Sequence, residues 1–266
     1  MVDFTCKLRY DYEDLLEIMK ILRAPGGCPW DAEQTHRSIL RNFQEETYEF
    51  CEAAELDDEH GMCEELGDVL MQVVFHAQIE AEQGRFTMED VCDGICKKMI
   101  FRHPHVFGSA HCETSGEVLD TWDAVKRVEK SQKTVTDTLR SVARTLPALW
   151  RAEKIERKAA KAGFHWASVD GALAKLEEEV AELRAAIAAG SGEEDELGDL
   201  LLAACDVAAM LELDPERALH AACEKFIRRF AALEEAAAGQ ELHALAEEEL
   251  TALWIAAKQR ASGQEA

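Results

Sequence analysis

The sequence predicts an all-α fold built as two tandem helical bundles, and three observations carry that expectation. One acidic pattern occurs twice: Glu45-Glu46-Thr47-Tyr48-Glu49 followed by Glu65-Leu66-Gly67-Asp68, then Glu178-Glu179-Val180-Ala181-Glu182 followed by Glu196-Leu197-Gly198-Asp199. Each copy reads E-E-x-x-E, a gap of similar length, then E-L-G-D, and self-similarity on this scale marks a duplicated unit. There are only five prolines in 266 residues, and Ala, Glu and Leu dominate the second half, which is a helical composition. No strand-like alternation of useful length appears, whereas helical periodicity does.

Residues 10–23 form an amphipathic helix on Leu15, Leu16, Met19, Ile21 and Leu22, ended by the turn-rich run Ala24-Pro25-Gly26-Gly27-Cys28-Pro29-Trp30-Asp31. Helices are expected at about 35–57 and 61–83; in the second, Leu66, Val69, Leu70, Val73, Val74 and Ala77 make an apolar stripe flanked by Glu65 and Asp68. Thr87-Met88-Glu89-Asp90 is a capping box opening a helix to about 101. A loop over 102–108 and a helix over about 116–131 follow. The polar stretch 131–145 reads as a linker, so that the first domain spans 1–130 and the second 146–266. The second domain repeats the plan at about 147–162, 169–189, 193–212, 215–236 and 242–261, with Asp214-Pro215-Glu216 placing an N-cap before a first-turn proline.

Composition excludes several classes. A net charge of −24 opposes binding to a nucleic-acid polymer, although a small anionic ligand offset by metal and local Lys or Arg remains compatible. Nine cysteines, seven of them before residue 113, form no paired framework, so reduced, partly buried thiols in cytosol are expected, with Cys205 and Cys223 as core fillers. The N-terminus carries Asp3, Lys7 and Arg9 instead of a signal peptide, and no apolar run approaches a membrane span of roughly twenty residues. The expected location is cytoplasmic. There is no P-loop and no G-x-G-x-x-G.

The chemistry concentrates in the repeated acids. On a helix an i,i+3 pair projects from one face, so two antiparallel helices would aim Glu46, Glu49, Glu65 and Asp68 at one point, and Glu179, Glu182, Glu196 and Asp199 at another. A solvated acidic face accounts for Glu52, Glu64, Glu177 or Glu193, but it does not require the same quartet spacing twice. Four convergent carboxylates would raise one another's pKa, a cost that a divalent cation removes, and hard oxygen donors suit Mg²⁺, with Mn²⁺ as substitute. The E-x-x-H pairs of di-iron bundles are missing in register with the acids. Lys98 and Arg102 follow the first E-L-G-D as Lys225 and Arg229 follow the second, a matched spacing that suits phosphate clamps. Trp122-x-x-x-Lys126 and Trp254-x-x-x-Lys258 recur in the same order; the tryptophans are either core residues or aromatic planes beside a phosphate binder. His103 and His105 read as loop histidines.

The motifs Gly26-Gly27-Cys28-Pro29-Trp30-Asp31, Glu45-Glu46-Thr47-Tyr48-Glu49, Glu65-Leu66-Gly67-Asp68, Gly84-Arg85-Phe86 and Arg102-His103-Pro104-His105-Val106-Phe107 closely resemble the MazG family of bacterial nucleoside triphosphate pyrophosphohydrolases. Leu146-Pro147-Ala148-Leu149, Gly163-Phe164-His165-Trp166 and Lys225-Phe226-Ile227-Arg228-Arg229-Phe230 continue the resemblance through the second half. It implies the all-α NTP pyrophosphatase fold, a homodimer, Mg²⁺ dependence and hydrolysis of NTPs or dNTPs to monophosphate and pyrophosphate. By position, the two quartets become metal ligands, and Lys98, Arg102, Trp122, Lys126, Lys225, Arg229, Trp254 and Lys258 become substrate contacts. Glu45 and Glu178 are the candidate catalytic bases. The family often has Arg-Arg before His-Pro-His; here Phe101 precedes Arg102, which weakens the first site slightly. A second reading, of another class, is a regulatory protein that binds Mg–nucleotide without turnover.

Overall fold

The computed structural model describes residues 4–109, 114, 116–118, 122 and 133–263, and among these the chain is helical, without strand. It divides into two compact units, Met1–Lys126 and Arg127–Ala266. In the first, α1 (Tyr12–Arg23), α2 (Pro29–Glu33), α3 (Leu40–Glu55), α4 (Glu59–Glu82), α5 (Met88–Arg102) and α6 (Pro104–Phe107) follow in order. The second holds α7 (Val135–Arg140), α8 (Ala148–Lys161), α9 (Val169–Ala189), α10 (Glu193–Met210), α11 (Pro215–Ala236), a 3₁₀ turn at Leu242–Ala244 and α12 (Glu247–Gly263). No helix among the described residues is long and apolar enough to cross a membrane.

Local chemistry sets the helix ends. Asp11 and Asp14 form a reciprocal capping box at α1, and Thr87 with Asp90 does the same at α5. The turn after α1 requires Gly27, where an added Cβ would lie 2.2 Å from the Ile21 carbonyl oxygen. Gly190 ends α9 in the left-handed conformation at φ 69°. Three expectations shift. The α3 helix starts at Leu40, not near 35, because Thr35 and Ser38 bond each other's backbone N–H through their hydroxyls (2.9 and 3.3 Å) and hold a turn. The segment expected as a 102–108 loop contains α6, which proline opens at its first position. The segment expected as linker contains α7, capped reciprocally by Thr134 and Asp137. Of the helix expected at 116–131, residues 116–118 and 122 are helical and the rest lie outside the described residues.

The first core gathers Met19, Ile39, Val74, Phe75 and Ile79, with Leu15, Leu16, Met71 and Met88 against it. Only part of the expected α4 stripe is inside: Val74 and Ala77 are buried, whereas Leu66 and Leu70 are exposed. Leu66 and Leu70 stay exposed although α1, α3 and α5 all pack on this helix. Polar ties complete the packing. The buried Arg23 guanidinium donates to both Glu82 oxygens (2.8 and 2.9 Å) and to the Asp31 carbonyl (2.5 Å), and lies over the Phe75 ring. That one side chain fastens α1, α2 and α4 together. Buried Glu80 accepts from His36 Nε2 (2.5 Å) and from Arg85, and the His36 ring stacks on His76.

The second core is built from smaller residues: Ala159, Ala172, Ala203, Cys205, Leu233, Ala237 and Ala257. Its polar tie is Trp166, whose indole N–H donates to Asp206 Oδ2 at 2.9 Å. Burial and the neighbouring Asp206 push the Glu156 carboxyl up to about 7. All described cysteines are free. Cys205 is a core filler as expected, but Cys223 is exposed on α11, and Cys6, Cys51, Cys63 and Cys96 are also exposed instead of partly buried. Most of these positions fall on solvent-facing turns of amphipathic helices, where thiol hydrophobicity is not decisive.

Arg85, and then His36, hold the Glu80 carboxyl down to about 2 against an ordinary 4.5. A depressed folded value stabilises the native state above the unfolded value and is lost as pH falls toward the folded one. Hydrogen-exchange protection of α4 therefore falls between about pH 4.5 and pH 2, and Glu80→Gln flattens that part of the profile. An unchanged profile in the variant refutes the assignment.

Candidate metal centres

Each acidic group is built from two adjacent helices. In the first unit α3 and α4 pack side by side, and in the second α9 and α10 do so. Glu179 is buried, Glu46, Glu65 and Glu196 are half-buried, and Glu49 and Asp199 are exposed. Carboxylate oxygens of Glu46, Glu49 and Glu65 come within 4.8 Å of one another, and so do those of Glu179, Glu196 and Asp199. The two groups are not identical. The first takes two acids from the earlier helix, whereas the second takes two from the later. Asp68 and Glu182, the remaining members of the expected quartets, lie just outside.

Both remain electrically part of their groups. Partial burial pushes the Glu46 carboxyl up, and the charges of Asp68, Glu49 and Glu65 add to it. Glu65 is raised by desolvation and then by Glu49 and Asp68. Glu182 is raised by desolvation and by Glu179, with Lys175 acting in the opposite direction. Converging like charges of this kind are costly without a cation.

The donor set fits a hard divalent ion. Every donor is a carboxylate oxygen, the preference of Mg²⁺ and Mn²⁺. Oxygens facing each other across a magnesium ion lie about 4.2 Å apart, twice the roughly 2.1 Å bond length. The grouped oxygens lie within 4.8 Å of one another, on the scale of that separation. In the second group, Glu179 is 5 % exposed, and its Oε2 is buried with no hydrogen-bond partner. An orphaned buried carboxylate oxygen is expensive, and metal coordination satisfies it.

The bases expected from sequence stand apart. Neither Glu45 nor Glu178 joins an acidic group: Glu45 Oε1 pairs with Arg41 Nε at 2.9 Å, and Glu178 Oε1 with Lys175 Nζ at 2.8 Å. Sequence reasoning does not single out Lys175. It also contacts the grouped Glu179 at 2.8 Å, and its spacing of three and four residues from Glu178 and Glu179 is the available signal.

The basic and aromatic residues assemble on the neighbouring helices, α5 against α4 and α11 against α10. Lys98 is exposed on α5, and the Arg102 guanidinium lies 6.0 Å from the Trp122 ring, beside His103. Lys126 lies outside the described residues. On α11 Lys225 is exposed and Arg229 half-buried, while Trp254 on α12 meets Phe226 (5.3 Å) and carries the Lys258 ammonium at 5.6 Å from its ring. Of the two alternatives left for the tryptophans, neither ring is a fully buried core residue: Trp122 is 37 % exposed and Trp254 half-buried.

A family model described as the MazG nucleotide pyrophosphohydrolase domain matches the chain twice, at residues 34–107 and 168–232, and each match contains one acidic group. The chain is 42% identical over 253 residues to a protein of Escherichia coli K12 named nucleoside triphosphate pyrophosphohydrolase, covering 92% of this chain and 96% of that one. It is 42% identical over 249 residues to the nucleoside triphosphate pyrophosphohydrolase/pyrophosphatase MazG of Thermotoga maritima, covering 93% and 95%. It is also 41% identical to the uncharacterized protein YabN of Bacillus subtilis, over 95% of this chain and 52% of that protein.

The repulsion within the first group makes a specific demand on stability. In chelator, Glu46→Gln removes one of the converging charges while keeping the shape. Hydrogen-exchange protection of α3 and α4 should rise roughly two-fold, the size of one like-charge helix pair. A fall in protection would show that Glu46 is held by attractive contacts instead.

Proposed function

The chain belongs to the MazG nucleotide pyrophosphohydrolase family, and from that premise we propose that it hydrolyses nucleoside triphosphates, ribo or deoxy, to the monophosphate and pyrophosphate with Mg²⁺ or Mn²⁺ held by its acidic groups. The observation that carries this reading is the convergence of three carboxylates in each unit, on helices against which pack α5, bearing Lys98 and Arg102, and α11, bearing Lys225 and Arg229. Glu46, Glu49 and Glu65 with Asp68 would hold the ion in the first unit, and Glu179, Glu196 and Asp199 with Glu182 in the second. When bound, the ion supplies neutralisation of phosphate oxygens and a more acidic water.

The chain's own residues supply the rest. Lys98 and Arg102, or Lys225 and Arg229, grip the polyphosphate, and Arg offers two parallel donors to it. The exposed edge of Trp122, and the Trp254–Phe226 pair with Lys258, offer planes for a nucleobase; Lys126 continues the first set by sequence. A water oxygen attacks the α-phosphorus, the bond from that phosphorus to its bridging oxygen breaks, and pyrophosphate leaves with the electron pair. The basic residues stabilise the charge that develops on the leaving group. Glu45 and Glu178 adjoin the ligands in sequence and take the water's proton once released from Arg41 and Lys175. This activity in the cytosol would serve nucleotide-pool housecleaning. The names of the relatives favour turnover over a non-catalytic Mg–nucleotide sensor.

A homodimer completes the proposal. Leu66 and Leu70 on α4, and Leu197 and Leu201 on α10, are large exposed apolar residues beside the acidic groups. Contiguous apolar faces of this kind are covered in stable assemblies. No nucleic-acid or membrane partner is invoked.

Two measurements test these statements. Phosphorus NMR of early time points with an NTP and Mg²⁺ should show monophosphate and pyrophosphate as first products, and EDTA should abolish turnover. Diphosphate and orthophosphate as first products, or full turnover in chelator, would sink the proposal. Light scattering at micromolar concentration should give twice the chain mass; a monomer there refutes the dimer.

A further inference from the structure

The two acidic groups differ in one respect that the repeat does not suggest. In the second unit Lys175, one turn before Glu179, places Nζ 2.8 Å from Glu179 Oε1 and 2.8 Å from Glu178 Oε1. The equivalent position in the first unit, four residues before Glu46, is Asn42, which carries no charge. The adjacent cation, Arg41, turns to Glu45 instead of a ligand. Burial and neighbouring carboxylates are what act on Glu46 and Glu65.

Glu179 is the sole member of the second group contributed by α9, and it is the most buried of the six grouped acids. One of its oxygens is taken by Lys175 and the other is an orphan. Coordination there must draw Glu179 toward the ion while Lys175, still tethered through Glu178, remains beside it. A fixed positive charge next to a divalent ion opposes loading, and a competing ion pair must be weakened as well. Asn42 imposes neither cost on the first unit.

We propose that Lys175 is a built-in competitor for the second metal centre, so that the first centre binds a divalent cation more tightly and loads before the second. This rests on the metal reading above. It makes Lys175 a positioning residue: it holds Glu179 Oε1 until the cation takes over that oxygen, while its tie to Glu178 keeps its charge beside the group.

The test is a Mn²⁺ titration of the full chain, following the signal of free Mn²⁺ by electron paramagnetic resonance. Two affinity classes are expected. The double variant Glu49→Gln with Asp68→Asn removes the tighter class, and Glu182→Gln with Asp199→Asn removes the weaker. Lys175→Met should tighten the weaker class about 3- to 10-fold, the range for removing one partly exposed charge close to a divalent ion. Asn42→Lys should weaken the tighter class by a similar factor, and circular dichroism confirms that both variants stay helical. If Lys175→Met leaves the weaker class unchanged or weakens it, the competitor role is overturned while the metal centres stand. If Mn²⁺ binds to neither centre in the unmodified chain, the metal reading fails and this inference fails with it.

Discussion

Holding two helices side by side with their acids facing the same seam is the constraint on which the rest of each unit depends. Glu46 and Glu49 belong to α3 and Glu65 to α4; Glu179 belongs to α9, Glu196 and Asp199 to α10. Burial of the Glu46 and Glu65 carboxyls costs most, and the charges of the neighbouring acids add to that cost. The cores work against that cost. In the first unit Met19 of α1, Ile39 just before α3, and Val74, Phe75 and Ile79 of α4 pack into one cluster, and non-directional apolar burial of this kind stabilises the helices together. The acidic group is thus carried by helices that an apolar interior holds in place.

The two units meet this constraint by different means. The first uses large side chains and charged ties: Arg23 binds Glu82 and reaches the Asp31 carbonyl, and Glu80 is gripped by Arg85 and His36. The second uses alanines, with Ala172 and Ala257 fully enclosed, so its helices approach through small side chains. Its polar tie is the Trp166–Asp206 bond next to Glu156. Duplication kept the acid spacing while the interiors diverged. Cores tolerate extensive replacement provided that volume and pattern are kept.

Divergence also reached the acidic groups. Lys175 partly offsets the charge on Glu179 and Glu182, whereas burial and like charges act on Glu46 and Glu65 in the first group. The basic and aromatic sets correspond in kind, Arg102 near Trp122 and Lys258 near Trp254, although their partners differ: histidine in the first unit and phenylalanine in the second. The two acidic groups of this chain are therefore unequal in character.

Much of this is legible in the sequence because it depends on spacing. Helical periodicity and the repeated E-x-x-E with E-x-x-D predict which residues share a helix face, and that face is a property of backbone geometry. The capping box at Thr87 and the proline at 215 mark helix starts through local hydrogen bonding alone. What sequence could not decide depends on contacts across elements. It could not show that Asp68 and Glu182 fall outside the tight groups, that Glu45 and Glu178 are drawn to Arg41 and Lys175, or that Leu66, Leu70 and Cys223 face outward. Each of these is set by which neighbour covers a side chain or captures its charge. Spacing along one helix determines the candidates, and the packing of the next helix decides among them.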